Sequence, residues 1–322
     1  MPPGTGPGAA PGSRRYPVIA EPGRADPAAI PGELSARWSA AAITEFAYLT
    51  PKGEPLCWPV TPYWYPERGV LGIATGLAYP NKAYYARQHP QVAAMVGDTV
   101  LQGNAVVLDD DLQANTDRYI REMRQRFTSA RIGLNSVSIP FLDFYLPRIW
   151  IEVTPVRVAH QDEFKGTAAG DVPEAPVAAP LAEVRALQRW VVRRGSAVVT
   201  LAGPAGYPVM ARTKVWPGPG GSAMLERAPG TGPATLTLHC EGLAGVRLDA
   251  VMARGWVTSG GGRLRFVPRR VVGFFGRRPE ARPAFGSIFP LSQLPRAGDF
   301  RGVLTRELSR RGEPLPRLRI LR

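Results

Sequence analysis

The sequence predicts a mainly β protein in which one set of strands is used twice, with a few peripheral helices. Three observations predict this. The chain carries 35 glycines and 34 prolines in 322 residues, a surplus that favours short strands and tight turns over a helical bundle. Strand-length apolar or alternating segments, Ile43–Thr50, Leu56–Tyr65 and Gly69–Gly76, are separated by Pro-Lys-Gly-Glu-Pro and Pro-Glu-Arg. The order of elements in residues 33–160 then recurs in residues 181–276.

Residues 1–32 are rich in Pro, Gly and Ala and lack a periodic apolar pattern. They are expected to form a flexible arm, because they cannot bury enough surface to offset their ordering entropy. The Gly4-Thr5-Gly6-Pro7-Gly8-Ala9 run matches a dinucleotide loop in spacing only, with no strand before it. A helix is expected over Glu33–Ala42, followed by the three strands above as a meander. Pro80-Asn81 starts and Pro90 stops one short helix. Strands resume in QVAAMVG and VLQGNAVVLD, and Asp109-Asp110-Asp111 opens a longer helix reaching Phe127. Its arginines 121, 124 and 126 lie towards the C-terminal end, the polarity that the helix dipole favours. Residues 148–159 close the first unit, and 161–180 read as a linker by composition.

The second unit begins with a helix over Leu181–Arg194. SAVVTLA, the GPAG turn and YPVMARTKVW then stand where FAYLT, PKGEP and LCWPVTPYWY stood. ATLTLHCEG parallels QVAAMVGD, and VMARGWVTSGGGRLRFVP parallels VLQGNAVVLDDD. Between MLERA and ATLTLH there is only Pro229-Gly230-Thr231-Gly232-Pro233, with no room for the short helix and no counterpart of Lys82. The second copy therefore reads as degenerate. Residues 277–322 form an arginine-rich extension with a helix expected near Phe300–Arg311.

The net charge of +14 includes +12 from residues 243–322, where seventeen arginines face five acids. Only four lysines occur in the chain. An Arg-rich, Lys-poor, Ala/Gly/Pro-rich composition reads as coding bias on a solvated surface, so this end is expected to be dispensable after about Pro314 and nucleic acid is not the expected partner. Cys57 and Cys240 have no metal-ligand spacing, so neither a disulfide framework nor a metal site is expected. No apolar run approaches about 18 residues. The expectation is a cytoplasmic protein with no membrane span and no secretion signal.

No GxSxG elbow, Walker A loop or HExxH occurs, and the three histidines leave little for acid–base work. What remains is residues 73–96, where a strand ends at Thr75-Gly76 and a short helix starts at Asn81-Lys82. Exposed N–H groups at a helix start, a hydroxyl and one lysine suit a phosphate. Aromatic residues Trp58, Tyr63, Trp64, Tyr65, Tyr79, Tyr84 and Tyr85 surround this stretch in sequence and suit either a planar ring or plain core.

From Phe46 through Val107, the succession of strand, GEP turn, PVTPYWY strand, TG, NK-containing helix, HPQVAAMV, LQGNAVV and DDDL helix resembles the flavin-binding split-barrel superfamily. That superfamily includes pyridoxamine 5'-phosphate oxidases and flavin- or deazaflavin-dependent reductases. The resemblance implies tandem split β-barrels forming an intramolecular pseudo-dimer, open to further oligomerisation, with the cofactor between them. It implies that Lys82, beside Asn81, holds the cofactor phosphate, that Val60, Thr61 and Pro62 line the cofactor, and that Thr75 and Gly76 sit at its phosphate end. Gln102 and Asn104 fall on the strand shared by interface and cofactor. Arg212, with Lys214 and Trp216, is the expected contribution of the second barrel. The oxidase branch carries an arginine on the second strand where this chain has Trp58-Pro59-Val60-Thr61-Pro62, which leans towards the reductases.

The resemblance thus implies an oxidoreductase that transfers hydride to a small-molecule substrate with FMN, or alternatively the deazaflavin coenzyme F-420, and the missing helix and lysine of the second copy limit it to at most one site per chain. No catalytic residue is assigned. Two other readings stand beside it. One is a haem-binding protein with His89, His160 or His239 as axial ligand. The other is a cofactor-less scaffold whose basic end docks an acidic partner or nucleic acid.

Overall fold

A computed structural model describes residues 30–127, 130–131, 134, 142–165, 179–241, 248–260, 262–273 and 297–318. The expected arm up to residue 29, its glycine run and most of the expected linker lie outside the described residues.

The first sheet contains β1 (Thr44–Leu49), β2 (Pro55–Val60), β3 (Pro62–Tyr65), β4 (Val70–Gly76), β5 (Gln91–Val96), β6 (Thr99–Leu108) and β7 (Arg148–His160). Its order is β2-β1-β5-β6-β7-β4-β3. β2 and β3 are one length of chain interrupted at Thr61, yet they occupy opposite ends of that order. The sheet is therefore rolled, with its two ends joined through the chain. The second set is β8 (Ser196–Ala202), β9 (Pro208–Pro217), β10 (Ala223–Leu225), β11 (Gly232–Glu241), β12 (Leu248–Gly260) and β13 (Arg263–Gly273). These form a closed barrel in the order β10-β13-β12-β11-β8-β9. Replacing β1 by β8, β2–β3 by β9, and β4 to β7 by β10 to β13 turns one order into the other.

The correspondence extends to single residues. Ala93 faces Gln102, Gln102 faces Arg157, and the β6–β7 ladder slips between Gln102 and Gly103. Thr235 faces Arg254, Arg254 faces Arg270, and the β12–β13 ladder slips between Arg254 and Gly255. A Cβ on Gly103 would collide with the Thr154 carbonyl, and one on Gly255 with the Val267 carbonyl. Both copies thus carry the same bulge, and both fill it with glycine because the opposing backbone leaves no room.

One element is not duplicated. β4 and β5 are joined by helix α2 (Asn81–Gln88), whereas β10 runs to β11 through six residues without a helix. Helix α1 (Gly32–Ala40) buries Leu34 and Trp38 on the first barrel. Helix α3 (Leu112–Arg126) is capped by Asp111, whose carboxylate accepts from the Ala114 N–H at 2.8 Å, and buries Tyr119, Ile120 and Met123. Helix α4 (Leu181–Arg194) covers the second barrel with Leu187, Trp190 and Val191, and ends at Gly195 with φ +62°.

Apolar packing runs across the seam between the barrels. Ala47, Cys57, Ala93, Met95, Val100 and Ala159 of the first barrel join Val198, Leu236 and other second-barrel residues in one cluster. Burial there pushes the Cys57 thiol up to about 12, so it behaves as a small apolar group. The seam is also pinned by polar contacts. Thr237 Oγ1 donates to the Cys57 carbonyl at 3.0 Å, and the buried Glu45 carboxylate meets both His239 and Arg212.

Most described arginines of the C-terminal part are exposed, as its composition suggests, but the segment that carries the last of them is docked and not dispensable surface. Helix α5 (Ala297–Arg311) lies on the first barrel with Leu304 buried in that barrel's core. Phe300 packs on Phe144 and Tyr79, with ring centroids 6.1 and 5.8 Å apart. Arg311 pairs with Asp109 at 2.8 Å, both side chains only 9% exposed. Beyond Pro314, Arg317 and Gln113 exchange two hydrogen bonds of 2.7 and 2.8 Å, and Leu318 packs on the core. Arginine counting missed this because the apolar docking residues Phe300, Leu304 and Leu318 stand between the arginines. Among the described residues, no helix is long and apolar enough to cross a membrane.

Candidate functional site

A cleft of about 360 Å³ opens between the barrels, lined from the first by β1, β2 and α2 and from the second by β12 and β13. Its walls follow from strand periodicity. Tyr48 on β1 and Leu56 and Trp58 on β2 face the cleft, while Ala47 and Cys57 between them face the seam core. Tyr79, Asn81, Lys82 and Tyr85 come from the turn after β4 and the first turns of α2.

Pro80 precedes α2, and its carbonyl takes the N–H groups of Ala83 and Tyr84. The amides of Asn81 and Lys82 thus head the helix without an intrahelical acceptor. Lys82 is half-buried, and its Nζ has no hydrogen-bond or ion-pair partner among the described residues. Burial first, and then the positive charge of Arg148, push its amine down to about 7.

Arg148 begins β7 directly opposite Gly76 and is buried at 2% exposure. Its guanidinium donates to the Tyr145 and Pro147 carbonyls and stacks on the Tyr119 and Tyr145 rings at 4.1 and 4.3 Å. Tyr79 hydrogen-bonds into the same group through Tyr145 and Arg148. A buried cation thus stands behind the cleft wall, held by carbonyls and tyrosine rings.

The second barrel contributes Met252 and Arg254 from β12, and Arg270 and Val272 from β13. Arg254 and Arg270 are directly opposite in the ladder, a like-charge placement that costs stability by itself. Arg254 is bound by Glu54. Arg270 has no acidic partner among the described residues. Three cations with one carboxylate, set among aromatic walls, form a donor set for an anionic ligand with a planar ring.

The expected site residues separate into three places. Asn81 and Lys82 line the cleft. Thr75 and Gly76 lie behind it. Thr75 Oγ1 donates to the Tyr79 carbonyl at 3.4 Å, and a Cβ on Gly76 would strike the Tyr79 ring. Val60 and Pro62 are buried beneath β2–β3, where the Pro62 carbonyl accepts from Arg126, and Thr61 forms the strand break. Gln102, Asn104 and Arg212 do not line the cleft, because seam contacts hold them. Gln102 Nε2 donates to the Pro208 carbonyl at 3.0 Å and Tyr207 OH to Asn104 Oδ1 at 2.9 Å, while Arg212 meets Glu45 at 2.5 Å. Lys214 pairs with Glu226 at 3.4 Å, and Trp216 is 45% exposed. The wall comes from β12–β13 and not from β9.

None of the three histidines lines the cleft. His239 is taken by Glu45, His160 lies between Asp98 and Asp162, and His89 caps α2. Of the aromatic run, Trp58, Tyr79 and Tyr85 line the cleft, with Tyr48 added. Tyr63 and Trp64 are core, Tyr65 holds Arg118 and Glu122, and Tyr84 binds Glu307. No His/Cys/Asp/Glu cluster suited to a metal occurs among the described residues.

The duplicated register locates the equivalent position on the other side of the seam, where Gln102 and Arg157 stand for Arg254 and Arg270. The chain that leaves β7 packs against that position. The turn Gln161–Glu163 packs on β9, with Gln161 Oε1 accepting from the Arg212 N–H at 2.7 Å. Arg157 stacks on Phe164 at 4.4 Å, and Phe164 is buried in the seam cluster. The stretch expected to begin a linker at 161 starts as this packed turn.

No family model and no curated protein sequence matches the chain. Solved structures match part of it. They include a conserved hypothetical protein from Mycobacterium tuberculosis, 16% identical, covering 45% of this chain and 94% of that one with a TM-score of 0.33. An F420 reductase is 14% identical, covering 40% and 98% with a TM-score of 0.30. A pyridoxamine 5'-phosphate oxidase-related, FMN-binding protein from Nostoc punctiforme is 15% identical, covering 39% and 81% with a TM-score of 0.29.

Proposed function

We propose that this chain is a flavin- or deazaflavin-dependent oxidoreductase that holds one ring cofactor in the cleft between its barrels and acts on a small molecule. The observation that carries the reading is Lys82, an amine at the head of α2 without a hydrogen-bond or ion-pair partner among the described residues, facing an aromatic-walled cleft with Arg254 and Arg270 on the opposite side. The donor set fits a phosphate joined to a planar ring.

Lys82 and the first amides of α2 would hold the phosphate of FMN, or of F-420 in the alternative. Tyr48, Trp58, Tyr79 and Tyr85 would orient the ring by aromatic contact. Leu56, Met252 and Val272 exclude water from it. A bound flavin or deazaflavin supplies hydride transfer, which accounts for a cleft without a histidine or an unpaired carboxylate.

The test is an absorption spectrum of the purified protein and mass analysis of whatever it releases on denaturation. A flavin or deazaflavin chromophore is expected. A Soret band with released haem, or apoprotein that takes up neither ring, would remove the reading.

A further inference from the structure

The cleft does not end at Arg254 and Arg270. Both residues also line a second cavity of about 260 Å³, formed with Lys52, Glu54 and Pro55 of the β1–β2 hairpin, Pro233 and Ala234 of β11, Gly255 and Trp256 of β12, and Arg269. The two cavities are collinear on both barrels. Along β12 the lining runs from Met252 through Arg254 to Trp256, and along the first barrel it runs from Trp58 through Leu56 to the hairpin. Four residues of extended chain span about 13 Å, so the pair forms one groove of that order with Lys82 at one end and Lys52 and Arg269 at the other.

The groove is short of acid. It is lined by Lys82, Arg254, Arg270, Lys52 and Arg269, against Glu54, which is already bound by Arg254. Lys52, Arg269 and Arg270 are exposed and have no acidic partner among the described residues. Three exposed cations without a carboxylate partner among the described residues thus converge with Arg254 on one cavity, a set of donors and positive charge that suits an anion.

We infer that the groove contains a second anion subsite at Lys52, Arg269 and Arg270, which takes a phosphate or carboxylate group roughly one groove length from the anion held at Lys82. The inference deepens the cofactor reading by adding a second negative group to the ligands of the same groove. That group belongs either to an extension of the ring ligand or to a separate anionic substrate.

Calorimetric titration of the full chain and its Lys52→Ala/Arg269→Ala variant tests this, because both residues line the second cavity only. The probes are tripolyphosphate and FMN, and unfolding midpoints of the two proteins verify that both are folded. The variant is expected to bind tripolyphosphate about tenfold more weakly, with FMN affinity held within about twofold. Equal tripolyphosphate affinity in the two proteins, or none in the unaltered chain, overturns the subsite. Titration with F-420, whose tail is anionic, separates the sources. A loss parallel to that for tripolyphosphate puts the second group on the cofactor, and an unchanged affinity puts it on a separate anion. If FMN and F-420 both fail to bind while tripolyphosphate still depends on Lys52 and Arg269, the subsite stands and the cofactor reading falls.

Discussion

Glu45 of the first barrel lies 2.7 Å from His239 Nε2 and 2.5 Å from the Arg212 guanidinium, so one buried carboxylate accepts from two bases of the second barrel. Burial alone would raise its pKa, but the His239 hydrogen bond and the Arg212 charge outweigh it and hold the carboxyl below its ordinary value. A depressed folded pKa contributes stability that is present above the ordinary carboxylate range and lost as pH falls through the folded value. Denaturant unfolding of the unaltered chain should therefore weaken as pH drops from about 5 to 3, and Glu45→Gln should flatten that dependence. His239→Ala should cost about 3 kcal/mol, since it leaves the carboxylate with one partner fewer. An unchanged midpoint would show that the seam does not rely on this group.

Lys82 gives the opposite sign on ligand binding. Its amine, pushed down to about 7, is partly neutral at physiological pH in the free cleft. A bound anion favours the charged form, so binding takes up a proton above that value. Affinity for an anionic ligand should fall as pH rises from about 7 to 9 and should lose that slope in Lys82→Ala. Titrations at a series of pH values measure it.

The docking of α5 predicts that the C-terminal end is structural. Leu304→Ala should cost about 2–4 kcal/mol, as expected for a buried leucine, because the side chain is 4% exposed in the first-barrel core. Since Phe300 backs Tyr79, Phe300→Ala should also weaken ligand binding in the cleft. Denaturant unfolding and titration of the two variants separate these effects.

The turn packed at the equivalent position predicts a purely structural role for Phe164. Phe164→Ala should destabilise by about 3–5 kcal/mol and leave the ligand stoichiometry unchanged, because the second copy has no counterpart of α2 and of the lysine in its first turn. A second binding event in the variant would contradict this.

Much of the fold was legible in the sequence because the signals were local. Proline at 80 and 90 framed α2, Asp111 capped α3, and the missing helix between β10 and β11 showed as a five-residue Pro/Gly stretch. Lys82 stood out as the lone lysine at a helix start. The opposite wall was not legible, because it depends on which faces of two barrels meet. Arg212 looked available on β9, but Glu45, 167 positions away in sequence, claims it. Aligning Gln102-Gly103 with Arg254-Gly255 would have pointed to the right strand, since the bulge glycine marks the same register position in both copies. Arg148 carries no signal in the sequence, because nothing local announces its cage of tyrosines.

The central claim is one anionic ring ligand per chain, held at Lys82 between the barrels. The most direct measurement is calorimetric titration with FMN, and separately with F-420, of the unaltered chain and Lys82→Ala. One site per chain is predicted for whichever ring binds, with affinity reduced by a charge-assisted hydrogen bond of about 1.5–3 kcal/mol in the variant and the unfolding midpoint not lowered. Two equal sites per chain, or the same affinity without the lysine, would contradict the account.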